Sequence, residues 1–226
     1  MTTPTSLTST TLLLCRHGQS EWNVQRRIQG QAPEAGGLTE QGRWEAQQLG
    51  RRLQGYEPTA LYSSDLRHAR ETAEIVAAST SLPIQTDPRW REIDLGVWQG
   101  LTPEEVDAGW PGEEIRALDL PRGEIGETFS ALSRRTLAAI DDLHTRHPGQ
   151  TVAVICHGGN VRAALMATPA PAGDGPDPRR TSSIPNTSVT MVQANRAGLQ
   201  AMLITDASHL EGATLAAEDA NTDERR

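Results

Sequence analysis

The sequence predicts an α/β domain with a mostly parallel sheet covered on both faces. Three observations carry this. Short apolar runs alternate with stretches of helical periodicity along 226 residues, the pattern of strand–helix–strand units. Two of the runs, residues 11–16 and 151–156, read as buried strands that break off at Arg16-His17-Gly18 and His157-Gly158. In open α/β sheets ligands gather at the carboxyl ends of the strands, where both breaks would lie. The length suits one domain with a proper core. Residues 11–211 are expected to form it, with 1–10 and 212–226 as disordered tails.

In chain order, Leu12 to Leu14 form the apolar centre of the first strand, and "QSEWN" follows as a loop or helix start. Leu38 to Gly55 reads as a helix capped by Thr39, with Ala46, Leu49 and Leu53 on one face. "TALYSS" is a short strand, and "DLRHARETAEIVAAS" a second helix with Asp65 as its expected cap. "LPIQT" reads as a strand leading into the irregular loop "WREIDLGVWQG". Thr102 followed by Pro103 opens a further helix. Residues 126–147 read as a long helix, "TVAVICHGG" as a strand and "NVRAALMA" as a helix. Residues 169–185 form a Pro/Gly/Asp-rich loop. "TSVTMVQA" and "LQAMLIT" read as a hairpin closed by "NRAG".

Composition removes whole classes of function. Net charge is −8, which argues against nucleic acid or an anionic membrane as partner. No apolar stretch approaches the ~18 residues of a membrane span. "MTTPTSLTST" has neither the basic nor the apolar region of a signal peptide, so the expected location is the cytoplasm. All 21 basic residues are arginine, so P-loop, Schiff-base and kinase-type lysine chemistry is absent. Any phosphate would be held by arginine, histidine and backbone N–H groups; a guanidinium suits that task with two parallel hydrogen bonds. Cys15 and Cys156 lie outside any metal-binding spacing and read as buried free thiols.

Four constellations carry chemistry. Arg16-His17-Gly18, with Ser20 and Asn23 after it, sets an imidazole beside a cation and a polar loop. His157-Gly158-Gly159-Asn160 repeats the strand-to-histidine transition. One such histidine is more often structural than catalytic; two in one α/β chain are less easily accidental. The arginine beside the first imidazole favours an anion over a divalent metal, and no ligand-spaced Asp/His run is present. Glu92 and Asp94 stand in an aromatic loop with Trp90 and Trp98, a setting that raises a carboxyl pKa, although a solvated Arg91-Glu92 pair is equally ordinary. "SSDLRHARETA" alone is an amphipathic helix with a polar face.

Taken together and in this order, "LCRHGQSEWN", "RIQG", "LTEQG", "YSSDLRHARETAE", "REIDLGVWQG", "VICHGGNVRAAL" and "NTSVTMV" resemble the histidine phosphatase (phosphoglycerate mutase-like) superfamily over most of the chain. The resemblance implies a three-layer α/β/α sandwich and chemistry without metal or organic cofactor. It makes His17 a nucleophile that forms a phosphohistidine, Glu92 the acid for the departing alkoxide, and Arg16 and His157 the clamps on the phosphoryl oxygens. Asn23, Gln29, Gly30, His68 and Gly158 complete the expected phosphate- and substrate-binding set.

Two departures stand out. The family pattern has arginine where this chain has His68, in Leu66-Arg67-His68-Ala69. Either His68 itself lines the pocket, which we favour, or Arg67 or Arg70 reaches in, or the pocket is weakened. Gly36-Gly37-Leu38-Thr39 stands where the family commonly reads Asp-x-Pro-Leu-Thr.

The mutase branch keeps a longer, more basic insert after the glutamate loop, whereas residues 101–125 hold only Arg116 and Arg122. The expected function is therefore a phosphomonoesterase on a small phosphorylated metabolite. A phosphoglycerate mutase is the alternative, and a non-catalytic phospho-ligand binder the alternative of another class. The strand near 187–205 offers an edge for a homodimer.

Overall fold

The computed structural model describes residues 8–111, 120–170, 177–180 and 183–211. The elements run β1 (Thr10–Arg16), α1 (Glu21–Val24), α2 (Glu40–Gln54), β2 (Ala60–Ser63), α3 (Arg67–Thr80), β3 (Ile84–Thr86), α4 (Pro103–Gly109), α5 (Phe129–Arg146), β4 (Thr151–Cys156), α6 (Gly158–Met166), β5 (Val189–Asn195) and β6 (Gly198–Asp206). Short 3₁₀ turns cover 88–90, 96–98, 178–180 and 208–210. The tail 212–226, residues 1–7 and Arg116 lie outside the described residues.

The sheet is mixed, in the order β3-β2-β4-β1-β5-β6. β3, β2, β4 and β1 pair in parallel, and β5 runs against both β1 and β6. Helices cover both sides. β1 shows why: side chains alternate across a strand, so Leu12 and Leu14 join one apolar cluster while Leu13 and Cys15 join the other. The first cluster takes Ala139, Ile140 and Leu143 from α5 and Val161, Ala164 and Leu165 from α6. The second takes Leu49 and Leu53 from α2 and Ala69, Ala73 and Val76 from α3. The result is the three-layer α/β/α sandwich. No helix among the described residues is long and apolar enough to cross a membrane.

Local chemistry sets most element ends. Thr39 accepts a hydrogen bond from Gly42 N, and Thr102 forms a capping box with Glu105. Thr128 caps α5, two residues inside the expected start of that helix. β1 begins one residue early because Thr10 is buried, its hydroxyl donating to the His147 carbonyl. Asp65 does not cap α3: Leu66 occupies the cap position without a side-chain hydrogen bond. Both Asp65 oxygens instead accept from Arg91, at 2.7 and 2.6 Å. A fork onto a carboxylate offers two charged hydrogen bonds where a cap offers one. Gly158 and Gly159 belong to α6 rather than to the strand.

Candidate active site

β1 and β4 are adjacent and in register, with Arg16 opposite Cys156, so both histidine transitions emerge at one rim of the sheet. His17 N donates to the Cys156 carbonyl at 3.0 Å, and the His17 carbonyl accepts from Thr187 N and Asn186 Nδ2. The His17 imidazole is buried, with Nδ1 2.8 Å from the Gly18 carbonyl oxygen. A carbonyl only accepts, so Nδ1 carries the proton and Nε2 keeps its lone pair.

Two further imidazoles stand against this ring. The His68 ring centroid lies 4.3 Å from that of His17, and the His157 centroid 5.2 Å. His68 Nε2 and His157 Nδ1 are 3.4 Å apart. His157 Nε2 is buried without a hydrogen-bond partner among the described residues. Burial, reinforced by the neighbouring imidazoles and by Arg16, holds His17 well below the usual histidine range. His157 is lowered in the same direction, by burial first and then by His68, Arg135 and Arg16. His68 is pushed down to about 4 by burial and Arg16, against a small opposing pull from Glu71. All three rings are therefore neutral near pH 7.

Of the sequence alternatives at the third position, His68 is the residue in the pocket. Arg67 turns away to Glu71 and Arg70 to Glu74, both on the exposed face of α3. Thr72, one turn after His68, donates its hydroxyl to the His68 carbonyl and accepts from Gly18 N. It thereby couples the segment after β1 to α3.

Arg16 ends β1 buried, with Nη1 donating to the Ile184 carbonyl at 2.6 Å. Glu92 seats its carboxylate on the start of α6: Oε2 accepts from Gly159 N at 3.1 Å and Oε1 from Ile93 N at 2.8 Å. Gly158, the first residue of that helix, is buried beside it. Asn23 is buried, and its Oδ1 accepts from Ser20 N and Asn186 Nδ2, so the donor end of the amide is the one these contacts do not engage. Gln29 is buried, with Oε1 accepting from Ser20 Oγ. Gly30 has φ +50°, and a Cβ there would meet Gln99 Oε1 at 2.1 Å; this position packs on Gln99. Cys15 and Cys156 are free and buried behind the histidine rim.

Several supporting residues carry no local sequence signal. Arg135, on α5, donates to the carbonyls of Arg89, Arg91 and Glu92 and forks onto Glu127. Gln31 Nε2 donates to the Glu92 carbonyl as well, and Asn160 Nδ2 to that of Arg91. Together they fix the loop bearing Glu92 against α5 and α6. The "WREIDLGVWQG" string gives away the loop but not what holds it.

The model of the histidine phosphatase superfamily (branch 1) matches residues 12–207. The chain belongs to that superfamily. Among curated relatives, "Phosphoglycerate mutase-like protein 4" of Arabidopsis thaliana is 34% identical over 189 residues, covering 80% of this chain and 77% of that one. "Probable phosphoglycerate mutase GpmB" of Yersinia pestis is 35% identical over 165 residues, 70% of this chain and 75% of its own. Among solved structures, a mycobacterial glucosyl-3-phosphoglycerate phosphatase complexed with VO3 shares 27% identity with TM-score 0.73, covering 85% of this chain and 97% of that one. Bacillus stearothermophilus YhfR shares 35% identity with TM-score 0.72, covering 89% and 100%. Phosphatases and mutase-like proteins thus both stand among the superfamily members similar to this chain.

Proposed function

We propose that the protein is a phosphomonoesterase that acts on a small phosphorylated metabolite through a phosphohistidine at His17. The observation that carries this reading is the His17 ring itself. Its Nδ1 is committed to the Gly18 carbonyl, which leaves Nε2 as an unprotonated nucleophile among His68, His157 and the residues about Arg16. The Nε2 lone pair attacks phosphorus and the bond to the ester oxygen breaks. Glu92 gives that oxygen its proton, then takes one from the water that cleaves the P–N bond. Arg16, His157, His68, Asn23, Gln29 and the N-terminus of α6 at Gly158 are the donors for the phosphoryl oxygens. A phosphate dianion within hydrogen-bond reach stabilises the protonated form of His68, against the effect of burial.

Esters related to phosphoglycerate are the first substrates to try. The glucosyl-3-phosphoglycerate phosphatase structure supports hydrolysis, and so does the small number of basic residues in 101–125. The names of the curated relatives favour mutase activity as the second reading. Assaying 3-phosphoglycerate for free phosphate and for 2-phosphoglycerate separates the two: hydrolysis releases phosphate, whereas isomer without phosphate release overturns our reading. His17→Ala is expected to abolish turnover of p-nitrophenyl phosphate, and retained turnover would remove His17 from the mechanism. A parent protein without turnover on any ester across pH 4–8 would point instead to a phospho-ligand binder.

A further inference from the structure

His68 does more than replace a phosphate donor: it completes a cluster of three buried imidazoles. One ring nitrogen from each of His17, His68 and His157 lies within 4.8 Å of the others. The 3.4 Å between His68 Nε2 and His157 Nδ1 is long for a hydrogen bond between them. It matches the edge of about 3.3–3.4 Å between two nitrogens bound tetrahedrally at about 2.0–2.1 Å from zinc. The rings stand tilted to one another at 56°, 62° and 85° and do not stack. The hydrogen bond from His17 Nδ1 to a backbone carbonyl is also the kind of outer contact that orients metal-bound histidines.

We propose that this pocket binds one divalent transition-metal ion, with zinc as the type case, through His17, His68 and His157, and that the bound ion inhibits the enzyme. Three nitrogen ligands and an open fourth position suit zinc, copper and nickel, whereas magnesium and calcium require oxygen ligands. Arg16 opposes any cation here, which confines the site to ions with a strong preference for imidazole. An arginine at position 68 would leave two imidazoles and add a second cation, so the site depends on this one substitution. Inhibition follows because the ion takes the same His17 lone pair that attacks phosphorus. This half of the proposal rests on His17 being the phosphoryl acceptor; the binding half does not.

The test uses untagged full-length protein, stripped with chelator and kept free of phosphate. Titration with Co²⁺ followed by visible absorption, and with Zn²⁺ followed by metal analysis after gel filtration, is expected to give one ion per chain and a tetrahedral cobalt spectrum. His68→Gln and His68→Arg should each weaken binding by more than about tenfold, since even outer contacts to metal ligands command about 10–100-fold. Circular dichroism of each variant confirms that it is folded, and His144→Gln, remote from the cluster, should bind as the parent does. Sub-stoichiometric binding, an octahedral cobalt spectrum, or unchanged affinity in a folded His68→Gln protein would overturn the site. Turnover of p-nitrophenyl phosphate should fall in proportion to zinc occupancy and recover with chelator; full occupancy with undiminished turnover would overturn the inhibition. If no ester is turned over, the phosphatase reading fails while the metal titration still decides the site.

Discussion

The two strand ends that build the pocket are held in place by different means. At the end of β1, backbone locks against backbone: a Cβ on Gly18 would lie 2.5 Å from the Gly42 carbonyl oxygen, and one on Gly42 2.0 Å from that of Gln19. At the end of β4, a Cβ on Gly159 would meet Glu92 Oε1 at 2.1 Å, the tip of a side chain that can swing aside. The segment carrying His17 is thus fixed by the fold, which makes stability and nucleophile position inseparable there. The seat of Glu92 is fixed by the absence of one methyl group, so acid position and stability are separable.

The largest effect is expected where backbone meets backbone. Gly42→Ala cannot be relieved by a rotamer change and should cost about 3 kcal/mol or more, the upper range for overpacking. Thermal unfolding would show this, and turnover should fall with the folded fraction. Next in size is the dependence on pH in chelator-treated protein. The His68 ring, faced by Arg16, His17, His157 and Glu71, titrates at about 4 in the folded chain and near 6.5 when unfolded. Above 6.5 both states are neutral and its contribution is intact. Below 6.5 the unfolded chain takes up the proton first, so stability falls as pH drops toward 4, by about 3 kcal/mol from this group. Urea titrations across that range should show the loss, and inorganic phosphate should reduce it.

Gly159→Ala sharpens the contrast. Stability should change by less than about 1 kcal/mol, because Glu92 and the Leu132 methyl can yield. Turnover of alkyl phosphates should fall about 100-fold or more, the scale of a lost general acid. Turnover of p-nitrophenyl phosphate, whose leaving group needs little protonation, should fall less. An equal fall for both esters would show that the substitution disturbs more than the acid. Smallest is Asp65→Asn, which removes a half-exposed ion pair with Arg91 and should cost under about 1 kcal/mol. Its readout is a slight drop in melting temperature with kcat nearly unchanged.

What the sequence made legible was local. The apolar runs in residues 11–16 and 151–156 marked two buried strands, and the His-Gly breaks marked where they surface. Thr39 and Thr102 announced their helices because a cap acts within three residues. Asp65 looked equally like a cap, yet its partner Arg91 lies 26 residues downstream and wins by geometry that no window reveals. The contacts of Arg135, Asn186 and Thr72 could not be read for the same reason: each bonds a backbone group of a distant segment, and backbone carries no signature. His68 stood out only against a family pattern, and that pattern could not say that it would meet two other imidazoles.

The two sulfurs behind the pocket carry a last consequence. Cys15 and Cys156 sit on neighbouring strands, fully buried, the first pushed up to about 12 and the second well above its ordinary value by burial. Thiolate is the form that alkylating agents and peroxides attack. The native protein should therefore ignore such reagents at neutral pH, and the rate of labelling by iodoacetamide becomes a clock for how often the sheet opens.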